Sequence, residues 1–567
     1  MDGSLSADPE VKMPSSSAKE RGNWITFPFI IGTMAGVTLA GGGYLANLIV
    51  YLIEEFNFKS IDAAQVFNVV NGASNLFPIA GAIVADSFLG NFTVVTISSC
   101  VSFLGVVLLV LTSLLDFLKP KPCEIGSSLC QTPLKPQYAV LYGALVLTSI
   151  GFGGSRYSLA TMGANQFNKP EDQNTYFNWF FFTLYSASVI SVTAIVYVEE
   201  NISWALGFGL CLAANFIALV IFLLGKRFYR CDKPEGSPFT ALARVVVATI
   251  KKRKVLLSSR SEDYYYENDA KAKEAAATVT KSFSRFFNRA AMKTEGGIKP
   301  DGSIAKPWRI CSVQQVEDFK TLIGIFPIWS SSIFLGTPIA IQSSLTVLQA
   351  LAMDRRLGQH FKIPAGSVIV LILITTSICL TFIDRVFYPF WRMLTHKLPT
   401  PFQRIGVGHV FNVLSMGVSA LVESRRLRIG HAQHHQDDQD SSTVPMLALW
   451  LFPQLILVGI GEAFHFPGQV ALYYQEFPIS MRNTATAMIS LIVGISFYLS
   501  TALIDLVRRV TDWLPDNIDD GRIDNVYWLM VVIGVINFGY FLVCAKLYKY
   551  QNVEKADKVS VSDMTSS

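Results

Sequence analysis

The chain has 567 residues, of which 51% are hydrophobic and only 16% are charged, with a net charge of +5 and a mean hydropathy of +0.39. A soluble globular domain carries about 25% charged residues, so this composition excludes that class and indicates a polytopic membrane protein. The eight cysteines are scattered without metal-ligand spacing, and the sequence contains no hydrolase motif and no phosphate-binding glycine loop. We therefore predict neither an enzyme nor a bound cofactor.

Twelve apolar runs are long enough to cross a bilayer, which takes about 20 mostly apolar residues. Because every backbone amide in lipid needs an internal partner, we predict that each run is a helix and that the fold is all-α. The runs are 24–53, 62–85, 93–115, 138–160, 177–198, 203–225, 321–342, 365–383, 405–422, 446–468, 485–504 and 526–545.

The polar segment between the sixth and seventh runs sets the predicted topology. Residues 226–309 hold 19 Lys and Arg against 9 Asp and Glu, and the positive-inside rule places such a segment in the cytoplasm. We interpret its basic run at Lys251 to Lys254 in this way rather than as a nucleic-acid patch. Both chain termini are then cytoplasmic, and the 117–136 loop lies outside. Cys123 and Cys130 in this loop can either form a disulfide there or stay free.

Two six-helix halves around a central loop are typical of transporters whose halves are parallel repeats, with the substrate held between them. The predicted division has five parts. They are an N-terminal tail at 1–23, a first bundle at 24–225, a central loop at 226–317, a second bundle at 318–548 and a C-terminal tail at 549–567.

Two charges lie far from the ends of these runs. Arg156 in the fourth helix is 18 residues past Tyr138, and Glu462 in the tenth helix is 17 past Pro445, so their depths agree. A charge at such depth is costly and normally faces a partner, a cavity or a permeant ion. We interpret Arg156 as the group that attracts an anion and Glu462 as its ion-pair partner in the empty site, since arginine offers planar donors that suit a planar oxyanion. The alternative is a permanent Arg–Glu brace without a ligand role.

Polar residues also occupy matched positions between helices two and three and between helices eight and nine. The first turn contains Asp86 and Gly90, and its counterpart contains Asp384 and Arg385. We predict that these residues, together with Lys320 just before the seventh run, have a gating or structural role; the alternative is ordinary loop polarity.

Several motifs resemble those of one family. The stretch from Gly81 to Gly90 resembles the signature of the major facilitator superfamily, in the form found in proton-coupled oligopeptide transporters and plant nitrate/peptide transporters. The match continues through residues 164–167, 177–180, 353–355, 403–406, 450–454, 461–462, 478 and 481–482, over roughly residues 24 to 550. The chain is identified as a member of the plant nitrate/peptide family and looks most like its nitrate excretion subgroup.

The resemblance implies a major facilitator fold and roles for particular positions. Arg156 matches the family's helix-four lysine, Glu462 its helix-ten glutamate, and Ile339 a helix-seven position that is often polar or aromatic. Where proton-coupled members carry Glu-x-x-Glu-Arg in helix one, this sequence has Met34, Val37 and Thr38, so that proton site is absent.

These observations predict passive export of a small inorganic anion, nitrate or chloride, across the plasma membrane or, alternatively, the vacuolar membrane. We expect Glu462 to stay ionised beside Arg156, with His409 and His465 as the remaining candidates for a proton relay. The competing hypotheses are a proton-coupled importer of peptides or organic anions and a receptor that has lost transport.

Overall fold

The computed structural model describes residues 22–121, 131–230, 238–258, 260–266, 285–294, 298–299, 304–359, 361–396, 398–434, 443–476, 485–516 and 518–548. Cys123 and Cys130 lie outside these residues, as do both chain termini, so both alternatives for this cysteine pair remain.

Twelve helices in the described part of the chain are long and apolar enough to span a membrane, which confirms the predicted all-α fold. We number them α1 to α12. They are Asn23–Ala46, Ser60–Leu89, Asn91–Leu114, Lys135–Ala164, Thr175–Asn201, Trp204–Arg227, Val313–Ala352, Gly366–Thr395, Pro401–Ala432, Ala448–Tyr473, Met488–Val510 and Ile523–Leu547.

The helices pack as two halves with the same internal arrangement. In the first half α1 packs on α6, α3 on α4 and α2 on α4; in the second half α7 packs on α12, α9 on α10 and α8 on α10. Each pair recurs six helices later, as expected for parallel repeats. We call the side where α1 begins and α12 ends the tail side, and the other side the opposite side.

The matched polar motifs form matched local structures at the tail side. Asp86 lies in a π-helical turn, Ala85–Leu89, that ends α2, and Asp384 lies in the turn Ile383–Phe387 within α8. In both turns the aspartate is the second residue, and isolated π-turns within helices are frequent at functional sites. The two then differ, because Gly90 with φ +75° ends the first helix at once, whereas α8 continues to Thr395.

The two halves are joined on the opposite side. All three ion pairs that cross between the halves in the described chain lie there. They are Lys59 with Asp516, Arg508 with Asp62 and Arg355 with Glu200. At the tail side, the described residues show no ion pair or side-chain hydrogen bond between the halves. The conformation is therefore closed on the opposite side.

A short stretch at the start of α8 makes the tightest part of this closure. A Cβ atom on Gly366 would lie 2.6 Å from the carbonyl oxygen of Ala46 at the end of α1, so only glycine allows this approach. The Ser367 hydroxyl donates to the carbonyl of Val192 in α5 at 2.6 Å. We call residues 365–369 and the α1 and α5 residues that they contact the seam.

Small strands shape the loop that leads into the seam. β1 (Met353–Asp354) pairs in parallel with β4 (Val444–Leu447), and β2 (Arg356–Leu357) pairs antiparallel with β3 (Phe361–Lys362). Arg355 lies between β1 and β2 and is 7% exposed, so its side chain is held against the first half rather than in solvent.

The central segment between the halves contains a helix, Pro238–Lys251, that packs on α7 of the second half. A small separate core surrounds it, built from residues such as Val245, Ala248 and Val316. Lys252 is buried beside this core and donates to the carbonyls of Ala290 and Met292, and burial lowers its pKa to about 8. The central loop is thus partly folded, which its polar composition did not indicate.

Candidate functional site

Arg156 lies on α4 where the helix faces the space between the halves. Its neighbours Ser155 and Ser158 are fully buried against other helices of the first half, whereas the Arg156 side chain is exposed. The guanidinium carbon lies 5.9 Å from the ring centroid of Phe152, one turn earlier. Stacking on an aromatic ring partly compensates a desolvated arginine and leaves its N–H groups free to bind an anion.

Tyr185 on α5 links Arg156 to the second half electrostatically. Its hydroxyl is within electrostatic reach of both Arg156 and Glu462. Since Glu462 belongs to α10, the three side chains surround a common space between the halves. The sequence analysis missed Tyr185, because one tyrosine in an apolar run equally fits a residue at the membrane interface.

Glu462 and Ile339 line the same narrow cleft in the second half, so the structure brings these two predicted residues together. Asn412 of α9 lines the cleft too; its amide donates to the carbonyl of Leu335 at 3.1 Å, and its side-chain oxygen has no partner among the described residues. The carboxylate of Glu462 and the amide oxygen of Asn412 thus border a cleft that is too narrow for a water molecule in this conformation.

Arg156 and Glu462 do not form an ion pair in this conformation. In the described chain, no side-chain nitrogen of a Lys, Arg or His forms a salt bridge, within 4.0 Å, with a carboxylate oxygen of Glu462. The ion pairs between the halves lie on the opposite side, and the described residues show none on the tail side. Their pairing stays a prediction for a conformation that closes on the tail side.

The positions of the missing helix-one proton site are packed inside the first half. Met34 is 1% exposed, Val37 3% and Thr38 4%. These side chains do not reach the central space, and none of them can exchange a proton.

The predicted gating residues lie on the tail side but do not form one cluster. Asp384 and Arg385 are exposed and 3.7 Å apart, whereas Asp86 is half-buried. Lys320, in the second turn of α7, is 5% exposed, and its ammonium lies 2.6 Å from a carboxyl oxygen of Glu317.

His465 lines this cleft, and His409 packs next to it with ring centroids 5.8 Å apart; each histidine is 2% exposed. His409 also stacks on Phe541 at 4.8 Å. Nε2 of His409 and Nδ1 of His465 have no hydrogen-bond partner in the described part of the molecule.

Comparison with known proteins agrees with this architecture. The model of the POT family, PTR2, matches residues 92–519. Protein NRT1/PTR FAMILY 2.7 of Arabidopsis thaliana is 55% identical over 567 residues, covering all of both chains. Protein NRT1/PTR FAMILY 2.6 of the same plant is 56% identical over 558 residues, or 98% of each chain.

Solved structures show the same fold. An autoinhibited POT family peptide transporter superposes with a TM-score of 0.69 at 18% identity, over 93% of this chain and 97% of that one. The POT family transporter PepTSo gives 0.67 at 17% identity, over 93% and 99%. The fold is that of the POT family transporters. The chain belongs to the POT family, in its NRT1/PTR branch.

Proposed function

We propose that this protein is a passive transporter of a small inorganic anion, nitrate or chloride, that works by alternating access. The observation that carries the proposal is the exposed guanidinium of Arg156, which forms no ion pair with the described residues and lies near Tyr185, itself within electrostatic reach of Glu462 in the second half. An arginine there provides fixed donors for one anion at a time, and the planar donor set suits planar nitrate as well as the simple charge of chloride.

The absence of helix-one carboxylates supports passive rather than proton-driven movement. Met34 and Val37 are apolar and buried where proton-coupled relatives of the resembled kind carry glutamates. Without a second driving ion, an anion moves down its own electrochemical gradient. With the cell interior negative by about 100 mV, each departing charge gains roughly 2.3 kcal/mol, so export is the expected direction.

In the proposed orientation the tail side faces the cytoplasm. We place the protein in the plasma membrane and, by function, among the nitrate excretion transporters. The basic segment 226–309 supports this orientation. In the cycle, Glu462 pairs with Arg156 after the anion leaves, and the π-turns carrying Asp86 and Asp384 take part in closing the tail side.

A second candidate is a proton-coupled importer of peptides or organic anions. One observation favours it: Glu462 lies within electrostatic reach of Tyr185 of the first half, and a carboxylate between the halves could hold a substrate amino group. A preference for dipeptides over nitrate and chloride in uptake competition would select this candidate.

The test of the proposal is anion flux from proteoliposomes loaded with nitrate or chloride. A charge-assisted contact contributes about 1.5 to 3 kcal/mol, so Arg156→Ala is expected to lower flux at least about tenfold while the protein stays folded. Arg156→Lys keeps the charge but loses the planar donors and should be partly active. Glu462→Gln should change the rate without reversing the anion preference.

Arg509→Ala is the matched control, because Arg509 is 75% exposed and pairs only with Asp505 on its own helix in the described chain. This variant should keep normal flux. Normal flux by Arg156→Ala would reduce Arg156 to a structural role and remove the basis of the proposal.

A further inference from the structure

Glu199 is a buried carboxyl that the proposed transport cycle does not use. It lies near the opposite-side end of α5 and is 1% exposed. In the part of the chain that the structure describes, neither of its carboxyl oxygens has a hydrogen-bond partner. A carboxylate ion buried without a well-formed hydrogen bond or a cation is strongly disfavoured, so this environment favours the uncharged acid.

The side chain of Glu199 is closely packed, and both of its carboxyl oxygens are shielded from bulk solvent in this conformation. A Cβ atom on Gly207 of α6 would lie 2.1 Å from Cγ of Glu199, so the stem of the side chain rests directly on the α6 backbone. The groups that face it from neighbouring elements are Asn47 after α1, Tyr51 one turn further and Cys211 of α6, and none of these is a cation.

Asn47 lies between Glu199 and the second half. The Asn47 amide faces the carboxyl closely enough to interact with it, although the two groups do not meet the geometry of a well-formed hydrogen bond, and a Cβ atom on Gly366 would lie 2.9 Å from the Asn47 side-chain oxygen. Asn47 therefore forms part of the seam. We expect that, when the halves separate on the opposite side, Gly366 moves away from Asn47 and water reaches the carboxyl.

The next residue, Glu200, holds the seam closed. It accepts hydrogen bonds from Arg355 and, at 3.0 Å, from the backbone N–H of Ala365. Glu54 is within electrostatic reach of Glu200, Arg355 and Lys362, and Glu55 pairs with Lys119 at 2.7 Å. The nearby cations are thus directed to carboxylates other than Glu199.

We propose that Glu199 is a proton-binding site that holds its proton while the opposite side is closed and releases it to that same side when the seam opens. The proton enters and leaves from one side, so it regulates opening without being transported. By linkage, a proton bound more tightly in the closed state makes acid favour closure, by at most tenfold per pH unit for one proton. This inference goes beyond the proposed transport function and does not depend on which anion is carried.

The test is hydrogen exchange of residues 361–369 in the full-length protein in lipid nanodiscs, measured by mass spectrometry between pH 5 and pH 8. Exchange is corrected for its intrinsic pH dependence, and residues 313–320 on the tail side serve as the internal reference. In the wild type, protection of 361–369 should rise severalfold as the pH falls. Glu199→Gln, which imitates the protonated acid, should show the high protection at every pH.

Glu55→Gln is the matched control and should keep the wild-type pH dependence, because Glu55 is a partly exposed carboxylate already paired with Lys119. Wild-type protection that does not change with pH, or a pH dependence that persists in Glu199→Gln, would overturn the proposal. A Glu199→Gln protein that does not fold would also contradict it, since the site should accept a neutral isostere. None of these readouts requires anion transport, so failure of the transport proposal leaves the test intact.

Discussion

Glu199 in the first half and Glu423 in the second are buried to the same degree on the same side of the molecule, yet their surroundings differ completely. Glu423 is fully buried and accepts hydrogen bonds from Gln349 at 2.6 Å and from Arg426 at 2.9 and 2.8 Å. Arg426 also pairs with Asp519. Glu199 has none of these partners within the described chain.

Burial alone does not determine whether a carboxyl group is charged or protonated. Glu423 is surrounded by donors and a cation, so it is a charged member of a fixed network inside one half. Glu199 lies next to a seam between halves, where the surroundings change during a transport cycle. Glu423 therefore stabilises the fold of the second half, whereas Glu199 can respond to the opening of the seam.

The largest expected effect is the loss of stability caused by Arg426→Ala, which tests the difference between Glu423 and Glu199. Removing one partner of a buried pair leaves Glu423 charged and uncompensated, which typically costs about 3 to 5 kcal/mol. The thermal unfolding midpoint of the purified protein should fall strongly, whereas Glu199→Gln should leave it nearly unchanged. If both variants unfold at the same temperature, the two carboxyls do not differ in the way described.

A smaller effect is expected from Arg355→Ala at the seam. Hydrogen bonds to charged groups contribute about 1.5 to 3 kcal/mol, so protection of residues 361–369 against hydrogen exchange should fall at least about tenfold. Lys59→Ala is the matched control, since Lys59 and Asp516 form an ion pair at 59% and 47% exposure. An exposed pair contributes about 0 to 1 kcal/mol, so this variant should change protection little. Equal effects of the two substitutions would show that burial of the Arg355 pair does not strengthen the seam.

The sequence predicted the twelve helices and the two halves because span length and apolar content are local properties that lipid enforces. It also indicated Glu462 and Ile339, which line one cleft, and the two aspartate turns, which both form π-helices. These features depend on residue type at one position or on a spacing that repeats.

The buried carboxyls could not be found in the same way. Glu199 follows the predicted end of its span, and its burial comes from Gly207 on the next helix and from Asn47 at the seam. The predicted ninth span ends at residue 422, which leaves Glu423 and Arg426 outside it. In the structure α9 continues to Ala432 and contains both residues. Their partners are distant in sequence, and only tertiary packing brings them together.

The central claim, passive anion transport, is tested most directly by the reversal potential of the current through the expressed protein. The anion gradient is held fixed while the pH on the opposite side is stepped by one unit. The account predicts that the reversal potential follows the anion gradient alone, even if the size of the current changes through Glu199. A one-unit step moves the proton equilibrium potential by about 59 mV, and a reversal potential that moves with it would contradict passive transport.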